Sequence, residues 1–234
     1  MDKDINFAQL QKSDKKVIVG IDEAGRGPVL GYMVYCAMVF EIDNIPNELK
    51  DSKQLTDKSR RRLFSQLQDY NFAYKALHPS NITSRMLSQE NLNNISWFTV
   101  VELLTLVTDK YSNIECIYVD TIGNCDQLKR FLELKFPNKI VVEPKADVKY
   151  PVVSGASIIA KVVRDDALSK FPGNLGSGYP GDPNTKLWLK NNINELFGWG
   201  SSVRYTWATV KNMLGYNKSR HFSGRLAGYF MHSE

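Results

Sequence analysis

Two adjacent acids, Asp22 and Glu23, close an apolar run from Val17 to Ile21 and lead directly into Ala24-Gly25-Arg26-Gly27-Pro28. A short apolar run bounded by turn residues reads as a buried strand. The two acids therefore stand at the mouth of a strand. Carboxylates there suit hard divalent cations, and glycines let a backbone approach a ligand closely. The combination implies metal-dependent chemistry on a phosphate-containing polymer. Asp120 ends a second apolar run, Cys116-Ile117-Tyr118-Val119, and Asp147 follows a third, Lys139–Glu143, just before Pro151. Ligands in open α/β sheets gather at strand ends. If the strands of Asp22 and Asp120 lie parallel and adjacent, Asp22, Glu23, Asp120 and Asp147 share a small volume. Such a cluster repels itself and raises its own pKa values. Two Mg²⁺ ions roughly 3.5–4 Å apart would relieve that repulsion, one activating water and the other stabilising the leaving oxygen.

Taken singly, an acid at a strand end is most often a turn residue or a helix cap. The adjacent pair and the GRG turn weigh against that reading for Asp22 and Glu23. Rival chemistries lack their residues. His78, His221 and His232 form no HExxH pair and have no cysteine partners at zinc spacing. No GxxxxGK[ST] sequence is present, which disfavours nucleotide triphosphate hydrolysis. His78, before Pro79, reads as a loop residue.

The elements that must position the acids form a mixed α/β pattern. Strand-like runs cover Val17–Asp22, Tyr32–Phe40, Phe72–Leu77, Glu115–Asp120 and Lys139–Glu143, a five-stranded sheet. The first two read as an antiparallel hairpin. The last two, separated by a helical pattern over Gln127–Phe136, read as a parallel crossover. Further helices are expected at Asp57–Asp69, Leu92–Lys110, Pro151–Leu168, Asn184–Leu196 and Tyr205–Leu214. In the Pro151 helix, Val152, Ala156, Ile159 and Val163 mark a core-facing stripe, with Lys161 and Arg164 on the polar side. Residues 1–15 form a polar lead segment, 16–197 a catalytic domain and 198–234 a small helical C-terminal appendage. In its tail, Phe222, Leu226, Tyr229 and Phe230 are spaced to form an apolar stripe for the main domain or a partner.

Composition agrees. The chain has 234 residues, 43% hydrophobic, enough for a proper core. Its formal charge of +5 leans towards an anionic partner such as nucleic acid. Cys36, Cys116 and Cys125 form no CxxC pair, and an odd count without a leader segment argues for a reducing, intracellular compartment. The longest near-apolar run, Val29 to Phe40, is too short to span a bilayer.

Several motifs together resemble the type 2 ribonuclease H (ribonuclease HII) family. Asp22-Glu23-Ala24-Gly25-Arg26-Gly27-Pro28 resembles its signature, and Asp51-Ser52-Lys53-Gln54-Leu55 its DSK-x-L loop. Tyr118-Val119-Asp120-Thr121 and Lys145-Ala146-Asp147 with Tyr150-Pro151-Val152-Val153-Ser154 resemble its third- and fourth-acid segments. Gly176-Ser177-Gly178-Tyr179-Pro180 with Asp182-Pro183 and Thr185-Lys186 resembles its GSGYP-x-DP-x-TK loop. The order is kept from about Val17 to Trp207. The GSGYP form and the stretch Asp120-Thr121-Ile122-Gly123 are similar to archaeal and eukaryotic members, the latter especially. Ser154-Gly155-Ala156-Ser157 departs from the family, which commonly has alanine second.

The resemblance implies a ribonuclease H-like fold and hydrolysis of RNA in RNA–DNA hybrids. It also implies incision 5′ of single ribonucleotides in duplex DNA, leaving 3′-hydroxyl and 5′-phosphate ends. Asp22, Glu23, Asp120 and Asp147 would hold two divalent ions, Mg²⁺ or Mn²⁺. The backbone of Gly25, Arg26 and Gly27 would read the 2′-hydroxyl, and Tyr179 would stack on the following deoxyribose. Lys53 and Arg26 are candidates for phosphate contacts, which position a duplex without reading sequence. The eukaryotic catalytic protein works with two accessory proteins in a heterotrimer, and the resemblance would place it in the nucleus, or in the cytoplasm if not eukaryotic. Two readings compete: a non-catalytic hybrid-binding subunit, which would not need four acids, and a small-molecule phosphatase, which would not need the GRG turn or Tyr179. The cluster Lys58, Arg60, Arg61 and Arg62 reads first as a solvated face. Trp188, Trp199 and Trp207 read as packing residues.

Overall fold

The computed structural model of the chain describes residues 3–49, 56–194 and 196–215. Six strands, β1 (Ile5–Gln9), β2 (Val17–Ala24), β3 (Met33–Glu41), β4 (Asn71–Leu77), β5 (Ile114–Asp120) and β6 (Ile140–Glu143), form one mixed sheet in the order β1-β4-β3-β2-β5-β6. The β2–β3 hairpin is antiparallel and β5–β6 parallel, as the sequence implied, and β2–β5 is parallel, which meets the condition for the acids to converge. The count is six rather than five. β1 lies in the polar lead segment and pairs antiparallel with β4, with Phe7 stacked 5.2 Å from Tyr74. Its residues, Ile5 and Phe7 included, are largely exposed, and so short a run at a sheet edge does not mark itself as a strand by sequence.

Alternation along the strands sends successive side chains to opposite faces. One face packs Val19, Ile21, Tyr35 and Val119 under α2 (Pro79–Leu87), α3 (Leu92–Thr108) and α4 (Cys125–Glu133). The other packs Val34, Cys36, Met38 and Phe40 under α1 (Asp57–Leu67) and α6 (Pro151–Ser169), which follows the short α5 (Ala146–Lys149). α6 is buried on nearly every side through Ala160, far beyond the expected stripe. At Gly155 a Cβ would sit 3.3 Å from both Met38 Cγ and Phe40 Cζ, so those side chains take the space that an alanine would use.

His78 sits in the connection between β4 and α2, as expected, but it is buried and caps α2, its Nδ1 accepting from Ser80 N. α7 (Pro183–Asn191) ends five residues earlier than expected, because Asn194 instead pairs with Gly198. α8 (Ala208–Met213) starts late, because the backbone at Val203 and Arg204 pairs with Val29 and Leu30. A third cluster joins Val29 and Leu30 to Leu189, Trp199, Val203 and Val210, so the stretch from Trp199 to Val210 packs directly behind the GRG turn. The tail from Tyr216 and the Asp51–Leu55 loop with Lys53 lie outside the described residues. No described helix is long and apolar enough to cross a membrane.

Candidate active site

β2 and β5 run in register from Ile18 opposite Cys116 to Ile21 opposite Val119, which brings Asp22 and Asp120 to the same sheet end. Asp22 opposes Cys36 and Glu23 opposes Tyr35, residues that belong to different cores. The two adjacent acids thus face opposite sides of the sheet. Asp22 lies towards α6, near Ser157 and Lys161. Glu23 lies towards α3, near Tyr35 and Arg26.

Burial raises the Asp22 and Glu23 carboxyls well above the ordinary carboxylate range, and Asp120 beside both adds to the rise. Asp120 is itself raised, first by burial and less by the neighbouring Asp147. Asp120 Oδ1 accepts from Ala146 N at 2.9 Å, which ties β5 to α5 and sets Asp147 next to it. Asp147 Oδ2 lies 4.0 Å from Lys161 Nζ. The structure therefore places all four sequence-derived acids in electrostatic contact. Among the described residues they do not form a compact metal-ligand group of three. Among the four acids, Glu23 Oε2 is buried with no hydrogen-bond partner. Leaving a buried polar atom unpaired costs about 1–3 kcal/mol for a neutral group and more for a charged one, unless a cation or donor meets it. The raised pKa values and the orphaned oxygen fit a site built to hold cations.

The GRG turn follows without a break. Gly25 has φ +83°, and a Cβ there would stand 2.5 Å from Tyr32 O, so glycine is required. The Arg26 guanidinium turns inward, Nη1 donating to Ser96 Oγ and Nη2 to Asn93 Oδ1, both at 2.5 Å. Ser96 also accepts from Tyr35 OH at 2.7 Å. The side chain thus anchors the turn to α3. Gly27 faces Tyr179, whose ring carbon Cε1 would be 3.3 Å from a Cβ. Tyr179 is 45% exposed, on a loop held by Asp182, whose Oδ2 accepts from Ser177 N and Ser177 Oγ at 2.6 Å.

Three residues at this site were missed. Arg204, fully buried, donates from Nη2 to Gly25 O (2.7 Å) and from Nη1 to Arg26 O (3.1 Å), and from Nε and Nη2 to Gly31 O. Trp207 Nε1 donates to Gly27 O at 3.0 Å, so this tryptophan braces the turn besides packing. Arg164, expected on a polar face, is only 7% exposed and donates to Ser177 O; the GSGYP loop covers it. The Arg204 and Trp207 roles had no local signal, since their partners are carbonyls more than 170 residues away in sequence. The basic run on α1 is mostly an ion-paired surface, Arg61 meeting Asp166 at 2.8 Å and Arg60 meeting Asp165 at 3.5 Å.

Comparison with known proteins agrees with this geometry. The Ribonuclease HII family model matches residues 19–210. A relative from Homo sapiens, named as one of the subunits of ribonuclease H2, is 38% identical over 216 residues, covering 84% of this chain and 72% of the relative. The crystal structure of ribonuclease H2 from Pyrococcus horikoshii superposes with a TM-score of 0.76 at 34% identity, covering 87% of this chain and all of that one. Ribonuclease HII of Archaeoglobus fulgidus, solved in complex with PCNA, gives 0.68 at 30% identity, covering 82% and 95%. This chain belongs to the ribonuclease HII family and is an endonuclease of the ribonuclease H kind, acting on RNA in RNA–DNA hybrids.

Proposed function

We propose that the protein also incises duplex DNA 5′ of a single embedded ribonucleotide, with two divalent ions held by Asp22, Glu23, Asp120 and Asp147. The observation that carries this reading is the contact of Tyr179 with Gly27, two residues past the turn's first glycine and four past Glu23. A sugar tested at the turn and the sugar beside it would then lie next to the acids. Bound Mg²⁺ or Mn²⁺ would supply an activated water and charge stabilisation for the leaving oxygen.

The chain's own residues do the rest. The turn's backbone lies open at Gly27 and reads the 2′-hydroxyl, the group that distinguishes RNA from DNA. Arg204, Trp207 and the Arg26 side chain hold that backbone still, so recognition does not first require ordering. Tyr179 presents an exposed ring to the following deoxyribose. Lys161, beside Asp147, and Lys53 would meet backbone phosphates. No histidine is required as a base, and His78 is committed to its cap.

For assembly, we propose accessory subunits of the kind implied by the human relative's name, with a clamp such as the PCNA of the Archaeoglobus fulgidus complex as a second partner to test. Cleavage of a duplex with one ribonucleotide, with Mg²⁺ or Mn²⁺ and with any co-purifying subunits, tests the reading. A nick 5′ of the ribonucleotide supports it. Cleavage of continuous hybrid alone would overturn it.

A further inference from the structure

Arg164 joins two parts of the site that the sequence keeps well apart. Its stem passes the turn: a Cβ at Gly25 would lie 3.1 Å from Arg164 Cγ. Its head reaches the GSGYP loop. Nη2 donates to Ser177 O, and a Cβ at Gly178 would lie 3.1 Å from the same nitrogen. The guanidinium carbon stands 5.5 Å from the centre of the Tyr179 ring, within cation–π range. Nη1 is fixed by Asp165 Oδ1 at 2.8 Å, while Nε is buried with no partner. Leaving a guanidinium donor unpaired in the interior is costly. Position 164 therefore carries a penalty that a simple packing residue would not. The loop and the turn's exit are also joined by backbone, Val29 N donating to Gly178 O at 2.8 Å.

We propose that Arg164 is a positioning residue that makes the sugar-reading turn and Tyr179 one rigid reader. Preference for a ribonucleotide followed by a deoxyribonucleotide is then set by the joint placement of the two parts. This rests on the functional reading above and deepens it.

The test uses the full chain, with its partners where they co-purify, and the variants Arg164→Gln, Arg164→Lys, Tyr179→Ala and the Arg164→Gln/Tyr179→Ala double. The readout is the ratio of kcat/KM on a single-ribonucleotide duplex to that on continuous hybrid. We expect Arg164→Gln to lower this ratio about tenfold, as loss of a partly buried cation–π contact and a charged hydrogen bond would. Arg164→Lys keeps a charge and should fall between. The double variant should be no worse than Tyr179→Ala, since coupled residues are non-additive. An unchanged ratio in Arg164→Gln, or additive losses in the double, overturns the proposal. A second readout is independent of activity. In 3-fluorotyrosine-labelled protein, the ¹⁹F line assigned by its loss in Tyr179→Phe should move in Arg164→Gln; an unmoved line also overturns the proposal. A wild type that cuts hybrid but not the single-ribonucleotide duplex overturns the functional reading instead, while the ¹⁹F line still decides whether Arg164 positions Tyr179.

Discussion

Gly20 of β2 lies against the peptide of Val152 in α6, so closely that a Cβ at position 20 would fall 2.4 Å from the Val152 carbonyl carbon. Gly20 points to the same face as Asp22, two residues on. The missing side chain lets the start of α6 sit on the strand that carries the first acid. Gly20→Ala has no flexible neighbour to yield and is expected to cost about 3 kcal/mol, at the upper end for an overpacked core. Urea unfolding measures it; a loss under about 1 kcal/mol would show that α6 can lift without penalty.

Asp22→Asn and Asp120→Asn are expected to lower hybrid cleavage about a thousandfold or more, because several kcal/mol of charge stabilisation would be lost. Binding of hybrid should hold within a few-fold, since carboxylates do not attract a polyanion. Comparing single-turnover cleavage with filter binding separates the two effects. Near-normal cleavage in either variant would mean that the metal site is assigned wrongly.

Stability should depend on pH through the same acids. Asp22 and Glu23 have folded-state pKa values raised by burial, so their neutral forms favour the fold. Their contribution is complete below the ordinary carboxylate range and is lost as pH rises towards neutrality and beyond. In EDTA the thermal midpoint should therefore fall between about pH 5 and pH 8, and Asp22→Asn should flatten that fall. At pH 8 in EDTA the variant should be more stable than wild type. Added Mg²⁺ should stabilise wild type more at pH 8 than at pH 5, because protons compete with the ion. Identical pH profiles for wild type and Asp22→Asn would contradict the assignment.

Arg204 is expected to be required for the turn. Burial lowers its pKa to about 9, yet it stays charged at neutral pH and serves the carbonyls of Gly25, Arg26 and Gly31. Arg204→Met strands those carbonyls and should cost about 3 kcal/mol or more. Arg204→Lys, with one ammonium in place of a fork, should recover only part of it. Chemical denaturation of both variants checks this; full recovery by lysine would mean that charge alone matters there.

Asp182 holds the Tyr179 loop through Ser177 and caps α7 through Asn184 N at 2.8 Å. These bonds hold its carboxyl down to about 2, with the Ser177 hydroxyl the largest influence. The contribution is present above the ordinary carboxylate range and is lost only as pH falls towards 2. Asp182→Ala is expected to speed amide exchange at Ser177, and a rate equal to wild type would show that the loop is held elsewhere.

Much of the fold was legible because its signals are local. Val17–Ile21 and Cys116–Val119 are apolar because both of their faces are covered, and their acids end them because the sheet ends there. β1 was not legible, since an edge strand with exposed residues needs little apolar pattern and its pairing with β4 is non-local. α2 was hidden by His78-Pro79, a pair that reads equally as a loop or as an N-cap with proline at the first helical position. Arg164 looked solvent-facing because helical periodicity describes α6 alone, while the loop that buries it comes from residues 176–180.

By itself the sequence determined the inventory: four acids at strand ends, a glycine-framed turn, an aromatic on a glycine-rich loop, and their order along the chain. Those are properties of residue type and short spacing. Only the tertiary structure decided that Asp22 and Glu23 face opposite sides of the sheet and that Arg26 points inward. It also decided that Arg204 holds the turn from behind and that Tyr179 rests on Gly27. Each depends on chain segments brought together by burial of the two cores, and no spacing along the chain records which buried donor will find which distant carbonyl.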